Sequence, residues 1–221
     1  MINSFRPPLG AVLLFLDQSF LCIPARTGDT QPMDFVPTRP TTTMFLLRHA
    51  EAEGWGLSDG LTIEGAQASE ALVPVFQSLE IDGVFTSPAI RARETVQPFA
   101  DAAGLALTTL PDLREHQTSL QGHIPDDALI ERRFKERNLS RPGGESFNDA
   151  ATRLRNAIKS LSRRPVYAPL LSTHGGLIAS VMSALYSDFG YDQFLQMPRP
   201  ALFKVTHNHG TIREIQPLTL P

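Results

Sequence analysis

Two apolar runs in this 221-residue chain end in the same way. Met44-Phe45-Leu46-Leu47 runs straight into Arg48-His49, and Pro165–Ser172 runs into Thr173-His174-Gly175-Gly176. A shorter run, Val84-Phe85-Thr86, leads into Ser87-Pro88, with Arg91 one helical turn further on. Short apolar runs bounded by turn signals read as buried strands, and open α/β sheets bind ligands just beyond the carboxyl ends of their strands. Two arginines and two histidines would then converge on one crevice. That set suits a compact dianion, because guanidinium forks match phosphate oxygens. A neutral histidine can attack phosphorus, and the covalent phosphohistidine divides one hard displacement into two easier ones. Fixed cations stabilise the charge spread over the equatorial oxygens, which is the main task in phosphoryl transfer. A carboxylic acid must still protonate the leaving alkoxide, and Glu115 follows the apolar stretch Leu105–Leu110. His116 and Glu145 are its rivals for that part, in which case Glu115 is a surface carboxylate. Taken singly, Arg48-His49 could be two solvated residues at a strand end, and either histidine a core residue with satisfied nitrogens.

These residues need a scaffold, and the pattern around them supplies one. Leu61-Thr62-Ile63-Glu64-Gly65 reads as a helix start with Thr62 as N-cap. Its apolar stripe (Ile63, Leu72, Val75, Phe76, Leu79) runs to about Glu80, with Pro74 kinking or shortening the helix. Ser87 is the expected N-cap of a helix ending at Gly104, and Arg91 and Arg93, two apart, point to different sides of it. Leu105–Leu110 is a third strand, Asp126–Asn138 a helix and Glu145–Leu161 an amphipathic helix with Leu154, Ile158 and Leu161 inside. The cluster Arg132, Arg133, Lys135 and Arg137 reads as a solvated face. A helix over Leu177–Tyr186 follows the His174 strand, and Ala201–Thr206 and Thr211–Ile215 form a closing hairpin turning at Asn208-His209-Gly210. His207 and His209 belong to that turn, His123 to a polar edge, and Trp55 either lines a mouth or plugs a gap. Strands alternating with crossover-length helices predict an α/β domain, a three-layer sandwich with a mostly parallel sheet.

Composition bounds the function classes. The chain is 42% apolar and 19% charged with a net charge of −3, which suits a globular protein and argues against a general nucleic-acid binder. The single Cys22 excludes a disulfide framework and any multi-cysteine zinc site, and fits a cytoplasmic protein. Residues 1–43 differ from the rest: proline-rich, with little periodicity, they read as a disordered or loosely packed extension to a domain over 44–221. Targeting is the alternative, because Leu9–Leu16 has signal-peptide length, though Asp17 interrupts it and no clean cleavage site follows. That stretch is too short to span a bilayer as a helix, so no membrane partner is expected.

Arg48-His49-Ala50-Glu51 resembles the arginine–histidine–glycine motif of the histidine phosphatase superfamily, also called phosphoglycerate mutase-like. Asp59–Gly65 resembles the Leu-Thr-x-x-Gly element opening that family's first helix, and Ser87–Thr95 the segment with its second phosphate-binding arginine. Leu113-Arg114-Glu115 resembles the acid segment, and Pro142–Ser146 and Ser172–Gly176 match two further elements in the family's order. The resemblance implies the phosphoglycerate mutase-like sandwich and a phosphomonoesterase that needs no metal or cofactor. It makes His49 the phosphorylated nucleophile, Arg48, Arg91 and His174 the phosphate ligands, and Glu115 the proton donor. The partner would be a small phosphorylated metabolite or a phosphorylated protein.

One residue departs from the motif: Ala50 stands where the family has glycine, which narrows backbone freedom without forbidding ordinary angles. Arg-His-Ala also resembles the small phosphohistidine-phosphatase branch, so a phosphoprotein phosphatase is one alternative. A phosphoglycerate mutase-like phosphotransferase is a second, although the segment after Glu115 does not resemble the mutase pattern. A catalytically weak phospho-ligand binding protein is a third, and it would not need Glu115.

Overall fold

Strand β1 (Thr43–Arg48) shows why an unbroken apolar run belongs in the middle of a sheet. Its side chains alternate across two faces and both are buried: Met44 and Leu46 join one core, Phe45 and Leu47 the other. The computed structural model describes residues 43–118 and 127–220. The reading of residues 1–43 as an extension therefore falls almost wholly outside the described residues, as does His123. β1 pairs in parallel with β4 (Pro169–Thr173), where Leu170 and Leu171 likewise face opposite cores. β2 (Gly83–Thr86) and β3 (Leu107–Thr109) continue the parallel sheet beyond β4. On the other side β5 (Ala201–Asn208) pairs antiparallel with β1, and β6 (Thr211–Leu218) antiparallel with β5, giving the order β3-β2-β4-β1-β5-β6.

Helices cover both faces. α1 (Ile63–Ala71), α2 (Val73–Ser78) and α3 (Ile90–Ala103) lie on one side, with Phe76, Val96 and Phe99 packed against Phe45 and Leu47. α5 (Phe147–Leu161) and α6 (Gly175–Leu185) lie on the other, with Leu154, Ile158, Leu161, Leu177 and Val181 in the second core. Each such side chain contributes about 1.5–3 kcal/mol on burial, so both faces hold the sheet's position. The expected α/β/α sandwich is the fold observed. Two short helices complete it, α4 (Asp127–Lys135) and α7 (Tyr191–Leu195), α7 without a counterpart in the sequence reading. No helix among the described residues is long and apolar enough to cross a membrane.

Several boundaries differ for physical reasons. Thr62 caps α1 as expected, its hydroxyl accepting from Gly65 N at 3.0 Å. The helix breaks at Leu72, however, and Pro74 opens α2 where its missing N–H costs nothing. Ile63 leaves the apolar stripe and is 74% exposed. The N-cap of α3 is Ala89, not Ser87, whose hydroxyl faces the pocket described below and whose bond from Ala89 N is long, at 3.3 Å. The basic cluster is divided: Arg132 and Lys135 form exposed i,i+4 pairs with Glu136 and Glu131. Arg133 is 1% exposed and donates to Thr118 O, and Arg137 ties α4 to α6 through Ser180 O and Ser183. Half of that expected solvated face is therefore internal.

Candidate active site

The parallel register brings three strand ends level. Arg48 lies beside Thr173 and Thr86 beside Ser172, and the ladder runs one residue further through His49 N to Thr173 O and Ser87 N to Ser172 O. His49, Ser87 and His174 consequently leave the sheet together at its carboxyl edge. Arg91 reaches the same place from the first turn of α3, while Arg93 faces outward, as the two-residue spacing requires. Arg48, His49, Arg91 and His174 are all buried, His49 with 5% of its surface exposed.

Hydrogen bonds assign a tautomer to each histidine. His49 Nδ1–H donates to Ala50 O at 2.6 Å, leaving a lone pair on Nε2, which accepts from Arg91 Nε–H at 3.2 Å. His174 has the opposite tautomer: Nδ1 accepts from Arg91 Nη2 at 3.3 Å, and Nε2–H donates to Ser87 Oγ at 2.7 Å. The two rings meet edge-on with centroids 5.1 Å apart. Burial lowers the His49 pKa to about 3, reinforced by the charges of Arg91, Arg48 and Arg199 and opposed by the bond to Ala50. Burial, then His49 and Arg91, pushes His174 well down too. Both rings are neutral in the physiological range. Burial also lowers Arg48, to about 10, with Arg199 acting in the same direction and Glu115 against it, so it stays a cation.

The N-terminus of α6 seats the remaining two groups, and its two glycines explain how. A Cβ on Gly175 would lie 2.9 Å from Arg48 Nε, and one on Gly176 would lie 2.7 Å from Glu115 Oε1. Without side chains there, the Arg48 guanidinium lies flat against the helix start and the Glu115 carboxylate accepts from backbone N–H groups. Those donors are His116 at 2.7 Å, Leu177 at 2.9 Å and Gly176 at 3.3 Å. Arg48 Nη1 donates to Met197 O, while its buried Nε has no partner among the described residues.

The two rivals of Glu115 are engaged elsewhere. His116 pairs through Nε2 with Glu145 O at 2.8 Å, packs on Phe147 and is lowered to about 4, mainly by burial. Glu145 is clamped by Arg153 and Arg114 and accepts from Gln117 N at 3.1 Å. Ala50 is fully buried, is absent from the positive-φ residues, and donates its N–H to Thr95 Oγ1 at 3.0 Å. Thr95 in turn donates to Arg91 O at 2.7 Å, linking the His49 turn to α3. The sequence reading missed Thr95, the carbonyls of Gly56 and Met197 that hold Arg91 and Arg48, and Arg199. Only the proximity of Thr95 and Arg91 on one helix face hinted at any of them. Trp55, 54% exposed beneath the Arg199 guanidinium, is no packing plug. A groove of about 700 Å³ lined by Ala68, Leu72, Met197, Arg199 and Phe203 adjoins this centre but includes none of its four buried groups.

Comparison with known proteins gives the chain a family and its fold solved counterparts. Residues 44–214 match the family model described as histidine phosphatase superfamily (branch 1). A probable phosphoglycerate mutase (GpmB) of Yersinia enterocolitica is 30% identical over 159 residues, 64% of this chain and 74% of the relative. Its Serratia proteamaculans counterpart is 28% identical over 185 residues, 76% and 86%. Among solved structures, a mycobacterial glucosyl-3-phosphoglycerate phosphatase in complex with inorganic phosphate superposes with a TM-score of 0.64 at 20% identity, covering 80% of this chain and 96% of that one. A phosphoserine phosphatase from Entamoeba histolytica in complex with 3-phosphoglyceric acid gives a TM-score of 0.61 at 15% identity, with 79% and 96% coverage. The fold is shared with both, and the family match spans the strand ends and the helix that carry Arg48, His49, His174 and Arg91: this chain belongs to the histidine phosphatase superfamily.

Proposed function

We propose that the protein is a phosphomonoesterase acting through a phosphohistidine on His49, with no metal in the chemical steps. The observation that carries this is the neutral His49 ring, locked with its proton on Nδ1 and its Nε2 lone pair facing Arg91. A bound phosphoryl group takes over the N–H groups of Arg48 and Arg91, with the neutral His174 ring, held through Nε2–H by Ser87, packed beside it, and His49 Nε2 attacks phosphorus. The P–O bond to the leaving group breaks as the new P–N bond forms, and Glu115, in its acid form, protonates the departing alkoxide. Glu115 then removes a proton from water, which attacks phosphorus, breaks the P–N bond and releases inorganic phosphate. The single cysteine suits a cytoplasmic setting, where a small phosphorylated metabolite is the expected substrate.

The test is hydrolysis of an aryl phosphate by wild type and His49→Ala, with and without chelator, together with acid-quench trapping of phosphoenzyme. The variant should lose turnover and labelling, and chelator should leave the wild type unchanged. Normal hydrolysis by His49→Ala would overturn the mechanism. The relatives named as probable phosphoglycerate mutases favour a second reading, in which the phosphoryl group returns to a bound product. A long-lived phosphoenzyme with isomerisation of a phosphoglycerate, in place of phosphate release, would select it.

A further inference from the structure

Arg199 is a cation at the pocket that the reaction above does not use. Its guanidinium carbon lies 5.0 Å from the centre of the Trp55 ring, over the face, and both side chains are exposed. Among the described residues Arg199 forms no ion pair. The pair is nevertheless anchored to the phosphate site from both sides. Trp55 precedes Gly56, whose carbonyl accepts from Arg91 Nη1, and Arg199 lies two residues after Met197, whose carbonyl accepts from Arg48 Nη1. The stack thus joins the two backbone segments that hold the phosphate arginines, across the outer side of the pocket. Its charge reaches inward, depressing the proton affinities of Arg48, His49 and Arg91.

Stacking on an indole uses the face of a guanidinium and leaves its edge free, so the in-plane N–H fork can still grip a planar anion. The four phosphoryl-facing groups are buried, so the rest of an ester must extend toward solvent, where this fork stands. We propose that Arg199, held against Trp55, is a subsite for a second anionic group on the leaving part of the substrate. The substrate class is then a small phosphate monoester that also carries a carboxylate or a second phosphate. This rests on the phosphomonoesterase reading given above.

Two matched pairs test it: glycerol 3-phosphate against 3-phosphoglycerate, which exchange a hydroxymethyl for a carboxylate, and fructose 6-phosphate against fructose 1,6-bisphosphate. In the wild type kcat/KM should favour the more anionic member of at least one pair by roughly tenfold or more, as expected for a charge-assisted bidentate contact. The favoured pair tells carboxylate from phosphate. Arg199→Ala should bring that ratio close to one, chiefly through KM, and Arg199→Lys should restore part of it. Trp55→Ala should reduce the ratio by freeing the guanidinium. Each ratio is internal to one preparation, so a partly unfolded variant cannot imitate the effect. An unchanged ratio in Arg199→Ala or no discrimination by the wild type within either matched pair would overturn the proposal. If His49→Ala still hydrolyses the esters, the mechanism has failed on its own. The subsite is then judged by calorimetry, where wild type should bind 3-phosphoglycerate more tightly than glycerol 3-phosphate and Arg199→Ala should not.

Discussion

Three buried neutral histidines should make this fold unusually sensitive to mild acid. His49 and His116 are lowered from 6.5 to about 3 and about 4 and His174 is lowered well below it, burial being the first cause in each. The sign follows from proton counting: the unfolded chain takes up a proton at each of these sites as pH falls through 6.5, and the native state does not. Stability is full above that value and is lost progressively toward the native pKa values. Between pH 7.5 and pH 5.5 each histidine contributes a loss of about 1.4 kcal/mol, together about 4 kcal/mol. That is a large part of the roughly 5–15 kcal/mol typical of a domain. His207, also lowered by burial, acts in the same direction. Glu145, pushed up by burial but brought below the ordinary carboxylate value by Arg153, Gln117 N–H and Arg114 together, adds its own loss only below about pH 5, outside this window. The assay is urea unfolding at several pH values, with a constant m-value showing that the same transition is followed. His116→Gln, which changes a ring held between Glu145 O and Phe147 and leaves the backbone donor to Glu115 in place, should lower the slope of stability against pH by about a third. A change of less than about 1 kcal/mol across the range, or an unaltered slope in His116→Gln, would refute the assignment of neutral buried rings.

Three other perturbations have defined outcomes. Ser87→Ala removes the acceptor of His174 Nε2–H and leaves a buried donor unpaired, which should cost about 1–3 kcal/mol in denaturant unfolding and lower kcat on an aryl phosphate. Gly176→Ala puts a methyl group 2.7 Å from Glu115 Oε1 and must displace the carboxylate. Hydrolysis of alkyl phosphates, which need a proton on the leaving oxygen, should then fall by roughly 10²-fold, whereas p-nitrophenyl phosphate should be affected much less. Ala50→Gly gains no useful conformational freedom at a buried position outside the positive-φ set, so it should destabilise by about 0.4–1 kcal/mol without raising kcat/KM.

Much of the site was legible because each motif is continuous in sequence and attached to a strand. A run such as Met44–Leu47 can only be buried on both faces, which puts it inside a sheet and sends Arg48-His49 to the sheet's end. The same logic holds for Leu170–Thr173 and His174. Boundaries were less legible. Ser87-Pro88 has the composition of a helix start, but the buried His174 Nε2–H outcompetes the helix for the hydroxyl. Arg133 and Arg137 looked like surface charge because periodicity cannot show that α4 packs against a wall of carbonyls and serines.

What the sequence by itself determined is the strand-end placement of Arg48, His49 and His174 and the one-turn offset of Arg91, since period-2 burial and helical spacing are local properties. Only the tertiary structure decided the rest. The His174 tautomer depends on Ser87 Oγ arriving from the end of a different strand, and only packing shows that the Glu115 carboxylate reaches the start of α6 while that of Glu145 meets Arg153. The contact of Arg199 with Trp55 spans most of the domain in sequence, and no local pattern encodes it. Such pairings follow from how the layers close on one another, where hydrogen bonds and charges are satisfied by whatever the packing brings within reach.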